Sequence, residues 1–123
     1  RYKEDFKKAE RFENIRIPRR TPFAPELLAI ADLVISSGGT MATEAALAGT
    51  PVLNYHFWTP IASYLQRKRL PIWYAPDLAK LIKLARDILK RPERYRVNTK
   101  HILEQMESPI PKTIECIKKC RET

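Results

Sequence analysis

Five consecutive residues, Ser36-Ser37-Gly38-Gly39-Thr40, have the types needed to hold an anion. Paired glycines let the backbone turn sharply and approach a ligand with no Cβ in the way. If a helix starts directly after them, its first N–H groups are unpaired and its dipole favours negative charge. Several such amides together can hold a diphosphate; a tight strand-to-helix turn with no ligand uses the same residues. Glu44 lies one helical turn beyond Thr40, in a stretch otherwise made of Ala, Leu, Thr and Met. Its carboxylate can accept two hydrogen bonds from a vicinal diol such as ribose, or it can simply be a solvated glutamate near a positive helix end. His56 opens a second loop, His56-Phe57-Trp58-Thr59-Pro60, as either a phosphate contact or a plain loop histidine.

These residues need a strand before them and a helix behind them, and the chain supplies both. Leu33-Val34-Ile35 is a short apolar, partly β-branched run of the kind buried on both faces of a sheet. Thr40 can cap an alanine-rich helix, Gly49 suits the C′ position at its end, and Pro51 lies just beyond. Val52-Leu53-Asn54-Tyr55 then reads as a second strand. The result is a βαβ unit with its glycine turn at the carboxyl end of a strand, where open α/β sheets bind ligands.

The remaining chain repeats the alternation. Residues 1–12 carry Tyr2, Phe6, Ala9 and Phe12 at near-helical spacing, an amphipathic helix. Asn14-Ile15-Arg16-Ile17 reads as a short strand stopped by Pro18. Residues 18–25 form a proline-rich loop with the pair Arg19-Arg20, and Pro25 suits the first turn of a helix running from Glu26 to Ala31. A helix over 60–69 ends in Arg67-Lys68-Arg69, and Pro71-Ile72-Trp73-Tyr74 forms a last strand. Residues 77–90 are a helix with Leu78, Leu81, Ile82, Ala85, Ile88 and Leu89 in one stripe. Two further helices are expected at 93–106 and 110–121. The sum is one α/β domain over 1–123, an incomplete Rossmann-like parallel sheet of about four strands flanked by helices, with a helical tail over 90–123.

Length and composition bound the partners. The 123 residues suit one domain with a real core, and no apolar run approaches the length of a membrane span or a signal peptide. A cytoplasmic location follows as the default. The formal net charge is +9, which favours nucleotides, phosphorylated sugars, nucleic acid or an anionic membrane surface. Cys116 and Cys120 fall on one helical face at roughly 6 Å, a poor spacing for a disulfide along a rigid helix. They read as reduced thiols, and with His56 and His101 far away no metal site is expected.

The stretch Ala31 to Val52 resembles the donor-nucleotide signature of GT-B glycosyltransferases. It is similar to the N-acetylglucosamine transferase of peptidoglycan synthesis and, more loosely, to UDP-N-acetylglucosamine 2-epimerase. The form Gly38-Gly39-Thr40-Met41-x-x-Glu44-Ala45-Ala46 most resembles an uncharacterised, largely archaeal branch of that superfamily. The resemblance implies a UDP-sugar partner; no cofactor is expected. Backbone around Ser37, Gly38, Gly39 and Thr40 would face the diphosphate, Glu44 would hold the ribose hydroxyls, and the loop from Pro18 to Phe23 would lie against the base.

Two departures shape these expectations. The loop after the second strand is His56-Phe57-Trp58-Thr59-Pro60-Ile61-Ala62-Ser63, where the peptidoglycan transferase has polar residues, glutamines among them, on the donor sugar. The chain also matches only the later part of the second of two GT-B domains. In the 3-2-1-4-5-6 strand order, Asn14–Ile17 would be strand 3 and Leu33–Ile35 strand 4. The expectation is a fragment, inert alone and without its catalytic residues. A missing N-terminal domain, a lipid-linked acceptor at a membrane surface and homo-oligomers through exposed sheet edges are its candidate partners. Transfer and epimerisation are not separated. A reading from another class is a basic nucleic-acid-binding module, built on Arg67-Lys68-Arg69 and Lys90-Arg91-Pro92-Glu93-Arg94-Tyr95-Arg96, with Tyr95 and Trp73 to stack on bases.

Overall fold

A computed structural model describes residues 3–20 and 23–121. Its centre is a parallel sheet of three strands, β1 (Val34–Ser36), β2 (Val52–Tyr55) and β3 (Ile72–Ala75), in the order β1-β2-β3. Val34 pairs with Val52 and Val52 with Ile72; at the carboxyl end of β1, Ser36 pairs with Asn54 and Asn54 with Tyr74. Two helices make the crossovers, α3 (Thr40–Leu47) and α4 (Pro60–Arg67). Consecutive right-handed crossovers put both on one face. With α2 (Ala24–Ile30) they cover Val52 and Ile72, in a cluster with Leu28, Ala42, Ala45, Ala46, Ala62, Leu65 and Leu70. Side chains alternate along a strand, so Leu53 and Ala75 face the other way. There they meet Leu81 and Ile88 of α5 (Leu78–Lys90). Burying a side chain such as Leu53, Ile72 or Ile88 contributes about 1.5–3 kcal/mol.

The alanines of α3 let it sit close to the sheet, and its end follows from hydrogen bonding. The Gly49 amide donates to Ala46 O and the Thr50 amide to Ala45 O, both at 3.0 Å, with Gly49 at φ 82°. That is the Schellman arrangement, and Gly49 takes the C′ position as its type predicted. Arg69 (φ 64°) closes α4 in the same way, with Leu70 N donating to Leu65 O at 3.1 Å.

Three sequence expectations are corrected. Asn14–Ile17 is no strand: residues 15–18 have no regular structure, and among the described residues the sheet has three strands instead of four. Apolar alternation over so short a run needs a neighbouring strand to pair with. Ile17 and Pro18 instead line a surface hollow with Leu27 of α2. β1 therefore has an open outer edge among the described residues.

The helix over 93–106 is also broken. A 3-10 turn at Pro92–Arg94 gives way to an irregular stretch over 95–99, and only α6 (Lys100–Glu104) is helical. Tertiary bonds explain the break. Val97 N donates to Gly49 O at 3.0 Å, and Arg96 donates to Ala29 O at 2.8 Å, Ala31 O at 2.5 Å and Thr50 Oγ1 at 3.2 Å. Third, the amphipathic N-terminal helix is shorter than read, α1 at Lys3–Ala9, and buries none of its residues. Tyr2 lies outside the described residues. The terminal helix α7 (Pro109–Arg121) is present but likewise buries nothing, leaving Ile110, Ile114 and Ile117 exposed. Cys116 and Cys120 lie on it, exposed and without a disulfide between them.

Candidate functional site: the carboxyl edge of the sheet

Each strand hands over to a helix at the carboxyl edge, so three helix N-termini open on the same side. Two are closed by their own caps. Thr59 Oγ1 accepts from Ala62 N at 3.0 Å at the start of α4, and Asp77 Oδ1 accepts from Lys80 N at 2.8 Å at the start of α5. The third is open. The N-cap of α3 is Gly39, not Thr40 as the sequence predicted, and Thr40 is already the first helical residue. Gly39 has no side chain to give, so the amides of Thr40, Met41 and Ala42 find no acceptor among the described residues.

The turn itself depends on its glycines. Gly38 (φ 91°) and Gly39 (φ 83°, ψ −160°) hold backbone conformations that other residues rarely adopt. Ser36 Oγ donates to Gly38 O at 3.0 Å and tightens the turn. The ring of Phe57 lies directly over Gly38, where any Cβ would collide with it. Around Gly39 the space is open: a Cβ there would have no neighbour within 4 Å among the described residues. One glycine thus makes room for the neighbouring loop, and the other leaves backbone accessible.

A shallow cleft of about 290 Å³ opens between the first turns of α3 and α4, lined by Gly39, Thr40, Thr43, Thr59 and Ile61. Thr43 Oγ1 donates back to Gly39 O at 3.3 Å. Of the residues singled out in the sequence, Gly39 and Thr40 meet in this cleft. Ser37 is exposed on the turn and Gly38 lies under Phe57. Glu44 is half-buried one turn into α3, outside the cleft lining, with no hydrogen bond or salt bridge to the described residues. His56 also lies outside it. Its ring centroid is 4.1 Å from that of Tyr55, its amide donates to Ala75 O at 3.0 Å, and it holds φ 62°, a left-handed conformation. Such strain in a non-glycine residue costs of order 1–3 kcal/mol and gathers at functional edges. The loop proposed against a base, Pro18 to Phe23, lies partly outside the described residues.

Trp58 turns inward: its Nε1 donates to Ser63 Oγ at 2.7 Å, its ring is 5.5 Å from that of Tyr74, and it packs on the core cluster that Ile102 and Met106 also join. Trp73 and Tyr95 meet edge to face at 5.8 Å on the opposite face of the sheet. Among the described residues no group of three or more His, Cys, Asp or Glu could hold a metal ion, and no helix is long and apolar enough to cross a membrane.

Sequence reasoning passed over Thr59, Thr43 and Asn54. Thr59 had a signal, since Thr-Pro is an N-cap followed by a first-turn proline. Asn54 had one too, a lone amide in the otherwise apolar run Val52-Leu53-Asn54-Tyr55. It is 1% exposed, and its Oδ1 has no hydrogen-bond partner among the described residues.

No curated protein and no solved structure matches the chain. One family model does, over residues 1–117, with the description "Protein of unknown function (DUF354)". With nearly its whole length inside that match, the chain belongs to the DUF354 family.

Proposed function

We propose that the chain is the donor-nucleotide part of a glycosyltransferase or nucleotide-sugar epimerase, binding a UDP-sugar at the carboxyl edge of its sheet. The observation that carries this reading is the uncapped start of α3. Three outward amides follow two glycines with positive φ, beside a cleft, while the helices after β2 and β3 are capped by their own side chains. The diphosphate would sit against the amides from Ser37 to Thr40. Each charged group near such a helix end gains roughly 0.3–1 kcal/mol when exposed and up to ~2 when partly buried. Glu44, with its carboxylate uncommitted among the described residues, would take the ribose hydroxyls. The resemblance of Ala31 to Val52 to the GT-B donor signature supports the same assignment. His56, strained and exposed at the next loop, would contact the outer phosphate or the sugar.

Titration of the chain with UDP and UDP-N-acetylglucosamine tests the reading. Saturable binding that weakens only mildly with salt supports it. Binding confined to nucleic acid, falling steeply with salt, would replace it with the nucleic-acid reading.

A further inference from the structure

Asn54 is out of place. Strand alternation puts it on the same face as Val52, which lies in the core beneath α3 and α4. It stands two residues nearer the carboxyl edge, between Ser36 and Tyr74 in the ladder. The side chain is 1% exposed and its Oδ1 has no partner among the described residues. The nearest candidate donor on β1, the Ser36 hydroxyl, is directed to Gly38 O instead. An unpaired buried polar group of this kind is destabilising, and in native proteins it calls for a specific explanation. The two loops of the site both leave the sheet beside it, 37–39 after Ser36 and 56–59 after Tyr55. Phe57, which covers Gly38 from the second loop, is 53% exposed.

We infer that Asn54 is a specificity-determining residue of this site, held for a hydroxyl of the sugar attached to the bound diphosphate; the inference rests on the nucleotide-sugar reading above. The chemistry selects that group. A phosphate oxygen carries no proton and cannot satisfy Oδ1. A hydroxyl can donate to Oδ1 and accept from Nδ2, matching both ends of the amide. The open amides of α3 serve the diphosphate, and Asn54 serves what is joined to it.

The test compares wild type with Asn54→Leu, similar in size but without the amide, and Asn54→Ala, which is too small to clash. Without ligand, Asn54→Leu is expected to raise Tm by about 4 °C, because the unpaired group is gone. Affinity for UDP-N-acetylglucosamine should fall about tenfold or more in both variants, and affinity for UDP by less than about threefold. Three results would overturn the inference. A lower Tm for Asn54→Leu means that the amide is already satisfied in the free protein, by a trapped water or otherwise. Equal losses for UDP and the UDP-sugar mean that no sugar hydroxyl is read. Unchanged affinity for both, with wild type still binding, leaves the nucleotide site standing and removes Asn54 from it. If wild type binds neither ligand, the nucleotide reading fails and this inference falls with it.

Discussion

The two edges of one small sheet are built on opposite terms. At the amino edge every prominent polar group is matched. Thr50 Oγ1 donates to Leu28 O at 2.7 Å, Thr99 Oγ1 to Leu47 O at 2.7 Å, and Arg96 gathers the carbonyls at the end of α2. Gly49 is pressed so closely against Val97 that no Cβ would fit. At the carboxyl edge Thr59 and Asp77 cap α4 and α5, but the polar groups around α3 are unmatched. Among the described residues α3 starts without a cap, Glu44 is uncommitted, and Asn54 Oδ1 is buried unpaired. A sequence that satisfies one edge so fully has the means to satisfy the other. The contrast is what the proposed ligand site requires: long-range bonds close the amino edge, and the local inconsistencies that sequences keep at functional sites fall at the carboxyl edge.

Substitutions can break this contrast from either side. The largest effect is expected for Gly49→Ala, which combines a collision with the Val97 carbonyl and a left-handed φ. It should cost about 3 kcal/mol or more, seen as a large drop in the denaturant midpoint or as failure to fold. Arg96→Ala comes next. The guanidinium bonds are partly solvated, so the loss should be about 1–2 kcal/mol, again read by chemical denaturation, with ligand affinity untouched. Gly39→Ala meets no atom but needs a conformation that alanine avoids. A cost of ~1–2 kcal/mol should come with about tenfold weaker nucleotide binding, as the turn shifts and the amides lose their aim. Glu44→Ala is the mildest for the fold, within ~0.5 kcal/mol, since the carboxylate bonds to none of the described residues. Its effect should appear in titration alone, as a several-fold loss of affinity for UDP.

Much of the strand and helix frame was legible in the sequence, because its features are local. Gly49 and Pro51 end a helix by backbone geometry, and Val52–Tyr55 is a strand over the residues its composition marks. The long-range bonds of the amino edge were not legible. Arg96 reads as part of a basic run until Ala29, Ala31 and Thr50 are brought to it from more than forty positions away. That long-range pull also broke the helix expected over 93–106. The strand expected at Asn14–Ile17 failed for the opposite reason: its pattern was adequate, but no strand among the described residues lies beside it to complete the pairing. Thr40 was assigned as the cap because its type is right; the conformation of Gly39 claims that position first.

The central question is whether the open end of α3 holds a nucleotide diphosphate. Isothermal titration of the chain with UDP-N-acetylglucosamine, for wild type, Gly39→Ala and Arg96→Ala, tests this most directly. The predicted result is saturable binding by wild type, about tenfold weaker in Gly39→Ala and unchanged in Arg96→Ala. No saturation by wild type up to about 1 mM, or binding that Gly39→Ala leaves intact, would contradict it.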